Sequence, residues 1–244
     1  MFASVLLAIA VSAASVGDVR LSCPKPEGWT FKMAAKSDGM GVDIVTVTME
    51  RESAAPPPEF SVRWFAPQTD VHHLWTSAST HYGIPWSEPM ASELSSSMPL
   101  YAFLDANDRN RFTFACSESC RKVVFRSPVS ETKMGFSCSF GFFAVPEAPL
   151  DRYEVEIRLD MRPLFYAETI GSAADWMCRA SGAEPLAAPD CAFDALYSTW
   201  YDFHQDVSAA AVERECALAA GLGMKTVIVD DGWQIDLPLG NRPW

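Results

Sequence analysis

The sequence predicts a mostly antiparallel β-sandwich followed by a strand–helix–strand unit with parallel strands. Short segments of alternating apolar and polar residues, separated by turn-forming residues, fill the first 165 positions. A helix-compatible, alanine-rich stretch follows over 166–191, and two apolar runs flanking a capped helix occupy 192–244. We therefore predict a sandwich domain (1–165), a helical linker (166–191) and a strand–helix–strand region (192–244).

The predicted sandwich strands share period-two alternation and end at turn-forming residues such as the prolines of 56–58 and 146–149. They are 42–50, 60–65, 111–116, 122–126, 135–143 and 153–161. Many short strands joined by turns are typical of two packed sheets, which leads to the sandwich prediction.

The last of these segments, YEVEIRLDM, has the clearest alternation. We expect one face to meet a core and the other to meet water or a second layer. The predicted core face is Tyr153, Val155, Ile157, Leu159 and Met161, and the opposite face is Glu154, Glu156, Arg158 and Asp160.

The N-terminal apolar run is open to two interpretations. Residues 5–11 are predicted to form a buried first strand, since no Lys or Arg precedes them as in a typical signal peptide. A cleaved signal remains the alternative. The first interpretation favours a cytoplasmic protein and the second a secreted one.

The composition and charge of the chain limit the classes of partner that it can bind. Nineteen Lys and Arg against 31 Asp and Glu give a formal net charge of −12, a field that repels nucleic acid. No apolar run approaches the ~20 residues of a membrane-spanning helix. Seven cysteines at irregular spacing favour buried free thiols over a disulfide framework, and Cys116 and Cys120 lack the second half of a zinc motif. We expect no metal and no cofactor.

The C-terminal region predicts a parallel pair of strands. An apolar run at 195–200 precedes a helix at 207–220, which Asp206 or Ser208 can cap and which Gly221 and Gly223 can end. The apolar run 225–229 then predicts a second strand, covered on both faces. Strand, helix and strand in this order imply parallel pairing through a right-handed crossover.

The candidate site lies where the second strand ends. Asp230 and Asp231 follow it directly, and Trp200 closes the preceding strand. Ligands of parallel α/β folds bind at the carboxyl ends of the strands. Carboxylates accept hydrogen bonds from sugar hydroxyls and an indole can pack on the apolar face of a sugar, so the pattern predicts a sugar subsite. A polar Asp-Gly turn with Trp233 packed beneath it is the alternative, and a metal site is a weaker one.

Two motifs carry a family resemblance. The segment 197–205, YSTWYDFHQ, and the segment 225–234, KTVIVDDGWQ, are separated by a helix of about twenty residues. Together they resemble the opening of the catalytic barrel in glycoside hydrolase family 36, which comprises the α-galactosidases and their relatives. The upstream β region is similar to the large N-terminal sandwich of those enzymes.

The resemblance implies a retaining hydrolase acting on terminal α-linked galactose, and it makes 192–244 the start of an incomplete (β/α)8 catalytic barrel. In the family, Asp230 and Asp231 correspond to residues that hydrogen-bond the galactose, and Trp200 to a wall of that subsite; we add Trp233 as a substrate-binding residue. The catalytic aspartates belong to later strands, about 5 Å apart as retention requires. We therefore expect no catalytic residue and no hydrolase activity in this chain, which holds the N-terminal part of such an enzyme. The intact enzyme is open to oligomerisation.

Other functions and residues stay open. A non-catalytic carbohydrate-binding protein built on the sandwich is one alternative, and a galactosyl transferase of the same superfamily is another. We expect His72, His73 and His81 to be loop histidines, and Trp75 and Trp86 to pack within the β domain. His204 is expected either to approach the pocket or to cap the helix.

Overall fold

The computed structural model describes residues 7–9, 13–16, 18–77, 89–93, 96–182, 184 and 186–233. The chain forms two compact units, Met1–Glu184 and Pro185–Trp244. The described residues contain no helix that is long and apolar enough to cross a membrane.

The first unit contains two antiparallel sheets packed as a sandwich, with strands numbered in chain order. The first sheet runs β1 (Leu7–Ile9), β4 (Thr30–Ser37), β5 (Val42–Ala55), β14 (Leu150–Asp160), β10 (Asn110–Cys116), β9 (Leu100–Leu104) and β7 (His73–Trp75). The second runs β2 (Ala13–Val16), β3 (Val19–Ser22), β6 (Phe60–Pro67), β13 (Gly135–Phe142), β11 (Val123–Arg126) and β8 (Met90–Ser92), and β12 (Val129–Ser130) also pairs with β13.

The predicted class of this unit, mostly antiparallel β structure in a sandwich, is confirmed. Each of the six predicted strands is present, with ends shifted by a few residues. Of the predicted first strand, residues 7–9 form β1, and the rest of that segment lies outside the described residues.

Aromatic side chains from both sheets fill the space between them. The Phe103 and Phe136 rings stack with centroids 4.4 Å apart, and Trp64 meets Phe114 edge-on at 4.8 Å. Such pairs add about 0.5–1.5 kcal/mol to the burial of apolar area. The core therefore joins strands that are distant in sequence.

The outer face of the first sheet is covered by helix α1 (Tyr166–Ser181). Its buried residues, Thr169, Ala173 and Met177, recur every four positions and so form one face of the helix. This face packs on a second cluster of Leu100, Ala102, Leu104 and Ala115. Helix α1 lies within the segment predicted as a linker, and these contacts make it part of the first unit.

A buried ion network joins the end of β14 to helix α1. Asp160 is 0 % exposed and Arg158 only 4 %. Asp160 Oδ2 lies 2.8 Å from Arg158 Nη2 and 2.7 Å from Arg162 Nη2, and both guanidinium groups donate to Ser172 Oγ of α1 at 3.1 Å. The charged face of YEVEIRLDM is therefore buried at this end, under the second layer that α1 supplies.

The network also accounts for one wrong prediction. Met161 was assigned to the core face, but β14 ends at Asp160 and Met161 is exposed. The backbone turns here because Asp160 Oδ1 accepts the Arg162 N–H at 3.0 Å, which is a local side-chain to backbone bond that competes with the sheet ladder.

The second unit begins with a 3₁₀ turn at Asp190–Phe193. Strand β15 (Leu196–Ser198), helix α2 (Trp200–Phe203), helix α3 (Ala209–Gly221) and strand β16 (Thr226–Ile228) follow. Strands β15 and β16 pair in parallel, as predicted. Ser208 Oγ accepts the Ala211 N–H at 3.3 Å and caps α3, which confirms one of the two predicted caps.

The expectation that the second strand is covered on both faces is not met by the described residues. Ile228 of β16 is 43 % exposed, and Leu196 and Val229 are exposed as well. The reason is physical: α3 is the one long helix described in this unit, and a helix covers a single face of a parallel pair.

We expect Asp160→Asn to lower the free energy of unfolding by about 3–5 kcal/mol, because it leaves the buried Arg158 guanidinium without a counter-ion. Urea denaturation followed by circular dichroism measures the change. Asp70→Asn is the control, since the ion pairs of Asp70 with His72 and Arg111 are exposed and contribute about 1 kcal/mol or less. Equal losses for the two variants would contradict the role of the buried network.

Candidate sugar-binding site

The site is built on the ends of the parallel pair. Ser198 of β15 lies opposite Ile228 of β16, so the residues that follow both strands emerge at the same edge. Thr199 joins the two ends: its N–H donates to the Ile228 carbonyl at 3.1 Å, and its Oγ1 accepts the Asp230 N–H at 3.0 Å. Thr199 is fully buried, so these bonds are shielded from water.

Asp230 and Asp231 are fixed by donors on their own loop and on the neighbouring strand. Asp230 Oδ2 accepts from Ser198 Oγ at 3.3 Å, and its Oδ1 accepts the Asp231 N–H at 2.8 Å. Asp231 Oδ1 accepts the Gly232 N–H at 2.9 Å, and its Oδ2 accepts from Gln205 Nε2. These donors offset the repulsion of two adjacent carboxylates. A carboxylate accepts about four hydrogen bonds, so exposed Asp230 has acceptor capacity beyond the two bonds described.

Gly232 is required by the fold of this loop. Its φ is +101°, a conformation that L side chains rarely adopt, and a Cβ there would lie 2.4 Å from the Gln205 carbonyl oxygen. The glycine therefore lets the Asp230–Asp231 loop approach the segment after α2, and that approach positions Gln205 to donate to Asp231.

The aromatic residues border this edge. Trp200 is the first residue of α2 rather than the last of the strand, which ends at Ser198. Its indole is 36 % exposed and meets the His204 ring edge-on at 5.1 Å. His204 follows α2 with a left-handed φ of 50°. The histidine thus supports the indole from one side.

Trp233 follows the aspartate loop and is 67 % exposed. Its ring takes no part in the contact between Trp200 and His204. The part of the alternative that packs Trp233 beneath the turn is therefore wrong, whereas Asp231 and Gly232 do form a turn. An exposed indole beside two carboxylates provides an apolar surface next to hydrogen-bond acceptors.

Three supporting residues were not assigned a role from the sequence. Ser198, Thr199 and Gln205 all lie in the YSTWYDFHQ motif, yet a hydroxyl or an amide has no functional signal of its own. Their roles follow from distances across the strand ends. The one clue to these roles in the sequence was that Thr199 and Gln205 lie six residues apart within the motif.

Tyr197 lies on β15 beside this edge. Burial, followed by the nearby carboxylates of Asp202 and Glu215, raises the pKa of its hydroxyl. The tyrosine therefore stays neutral at physiological pH.

The other candidates fall in the first unit. His73 belongs to β7, and His72 Nε2 lies 3.5 Å from Asp70 Oδ1 at the surface. Trp75 packs, half-buried, on the cluster beneath α1. His81 and Trp86 lie outside the described residues. Among the described residues, no group of three or more His, Cys, Asp and Glu side chains is placed to hold a metal ion.

The cysteines are free thiols. Cys116 and Cys138 are buried, and burial raises the pKa of both thiols well above the usual range. They are therefore protonated and unreactive in the folded sandwich.

No family model matches this chain, and no curated protein matches it at a significant level.

We expect Gly232→Ala to destabilise the aspartate loop by about 1–3 kcal/mol, because it forces a Cβ into the Gln205 backbone at a strained φ. Hydrogen–deuterium exchange of the Asp231 and β16 amides detects the loss as faster exchange.

Gly221→Ala is the matched control, since nothing lies within 4 Å of its added Cβ at the end of α3. We expect it to be neutral or to stabilise the helix by up to about 1 kcal/mol. Unchanged exchange in Gly232→Ala would show that the close approach is not required.

Proposed function

We propose that the edge formed by Asp230, Asp231, Trp200 and Trp233 is a galactose-binding subsite of an α-galactosidase-like glycoside hydrolase. The observation that carries the proposal is the pair of adjacent carboxylates at the carboxyl end of a parallel strand, held in place by Ser198, Gln205 and backbone N–H groups. Sugar hydroxyls donate to the carboxylates, while Trp200 offers its indole to the apolar face of the ring.

Preorganisation supports a binding role. The donors to Asp230 and Asp231 fix the direction of the carboxylate oxygens before a ligand arrives, so little side-chain freedom is lost on binding. A site with fixed acceptors can then distinguish sugars by the positions of their hydroxyl groups. An axial 4-hydroxyl separates galactose from glucose, and a site that hydrogen-bonds that hydroxyl discriminates against the epimer.

The exposed apolar residues of the second unit support the barrel part of the proposal. Leu196, Ile228 and Val229 are exposed around the parallel pair, and parallel pairs are normally covered on both faces. Further strands and helices of a (β/α)8 barrel would cover them. In such an enzyme this chain would contribute sugar binding, and the two carboxylates of the retaining reaction would lie on later strands of the barrel.

The rival proposal is a non-catalytic carbohydrate-binding protein that uses the sandwich. It is favoured by a trough of about 900 Å³ on the outer face of the second sheet, whose lining includes Arg63, Arg126 and Ser139, and it predicts sugar binding that is independent of Asp230 and Asp231. No observation favours transfer over hydrolysis.

Calorimetric titration of the chain with methyl α-D-galactoside tests the subsite. We expect Asp230→Asn and Asp231→Asn each to weaken binding by at least about tenfold, because a hydrogen bond to a charged acceptor is worth about 1.5–3 kcal/mol. Methyl α-D-glucoside is expected to bind more weakly than the galactoside.

Asp206→Asn is the matched control, an exposed carboxylate of the same unit that lies outside the loop. Binding that survives both loop substitutions would move the site to the sandwich, and equal binding of the two epimers would contradict galactose recognition.

A further inference from the structure

The outer face of the second sheet carries a trough lined by small and cationic side chains. Its floor is β13, where the outward residues Ser137, Ser139 and Gly141 alternate with the buried Phe136, Cys138 and Phe140. The trough has a volume of about 900 Å³, within the range of ligand sites in proteins, about 300–1,000 Å³.

Three arginines cross this face in a single row. Arg20 on β3 is opposite Arg63 on β6, Arg63 is opposite Ser139 on β13, and Ser139 is opposite Arg126 on β11. Directly opposed residues of neighbouring strands point to the same face, and strands lie about 4.8 Å apart. The small Ser139 therefore separates Arg63 from Arg126 across the floor.

This arrangement is unfavourable without a ligand. Like charges directly opposite each other destabilise a sheet, and Arg20 and Arg63 are such a pair. Within the described residues, no carboxylate lies within ion-pair distance of Arg20, Arg63 or Arg126; Arg63 Nε instead donates to Ser61 Oγ at 3.1 Å. On the first sheet, by contrast, Lys32 and Arg152 both pair with Glu50.

One end of the trough is aromatic. Phe65 is exposed and lies over Gly135, where a Cβ would come within 2.3 Å of its ring. Lys133 Nζ lies 5.9 Å from the centre of the same ring. The trough thus combines cations, hydroxyls and an exposed ring.

We propose that this trough binds a short anionic oligosaccharide of the uronate class. The guanidinium forks of Arg63 and Arg126 pair with its carboxylates, as planar guanidinium groups do in two-bond contacts. Ser61, Ser137 and Ser139 bond its hydroxyls, and Phe65 packs on a ring. This site is separate from the proposed galactose subsite and does not depend on it.

The sheet geometry favours a glycan over an acidic peptide. Extended peptides gain affinity from main-chain hydrogen bonds at a sheet edge. Strand β13 is paired on both sides, with β6 and β11, so its backbone groups are already used. A ligand on this floor is recognised by side chains alone, which suits a sugar that presents carboxylates and hydroxyls around its rings.

The charge distribution limits the ligand to a short one. Arg20, Arg63, Arg126 and Lys133 line the trough together with two acids, Asp18 and Glu59. The whole chain carries a net charge of −12, so a long polyanion extending past the trough is repelled. Four cations within the trough act over about a Debye length of 8 Å, which is enough for a few uronate units.

Calorimetric titration of the full chain with trigalacturonate tests the proposal. We expect Arg63→Gln and Arg126→Gln each to raise Kd by at least about tenfold, because each removes a charge-assisted hydrogen-bonding fork. Ser139→Trp is expected to abolish binding without changing charge, since it fills the floor. Arg111→Gln, which removes an exposed strand arginine of the first sheet, is the matched control and leaves Kd unchanged.

Further titrations distinguish the competing explanations. The affinity for neutral α-1,4-galactotriose is expected to be the same in Arg63→Gln, Arg126→Gln and the unaltered chain, and Asp230→Asn is expected to leave trigalacturonate affinity unchanged, so the two proposed sites can fail independently. Triglutamate binding as tightly as trigalacturonate would overturn the proposal in favour of an acidic peptide. Absence of trigalacturonate binding, or equal affinity in Arg63→Gln, Arg126→Gln and Arg111→Gln, would overturn it outright.

Discussion

The aromatic core between the two sheets is the constraint on which the sandwich depends. Phe103 against Phe136 and Trp64 against Phe114 join opposite sheets, so each strand that carries one of these rings has a single register that buries it. A slip of one residue would expose every ring of that strand, because side chains alternate with period two. The outward residues are fixed by the same register, and the row of arginines on the second sheet follows from it.

The second unit is organised on a different physical basis. Its strands are short and the apolar side chains of Leu196 and Ile228 are exposed, so local hydrogen bonds rather than a large core hold the strand ends together. Buried Thr199 bonds both the Ile228 carbonyl and the Asp230 N–H. Gly232 then permits the close approach that brings Gln205 to Asp231. The carboxylates are consequently well oriented on a unit whose described strands leave several apolar side chains exposed.

Much of the fold could be predicted from local patterns, since alternation identifies half-buried strands and a serine cap marks the start of α3. Contacts between segments that are distant in sequence could not be predicted from these local patterns. The burial of Arg158 and Asp160 follows from the packing of α1 on the sheet, and a charged face is by itself a sign of solvent. The partners of Asp230 and Asp231 at the strand ends likewise required the parallel register. The arginine row required three strand pairings between segments as far apart as β3 and β13. At the site, the sequence identified the acceptors and left their supporting donors unassigned.

We propose that the Asp230–Asp231 loop binds a galactose ring. Amide chemical-shift mapping by nuclear magnetic resonance, with methyl α-D-galactoside added to the chain, is a direct test. We expect shifts confined to the amides of 230–232 and to the Trp200 and Trp233 indole N–H groups. Saturating galactoside that leaves these signals in place, or that moves only residues of the sandwich, would contradict it.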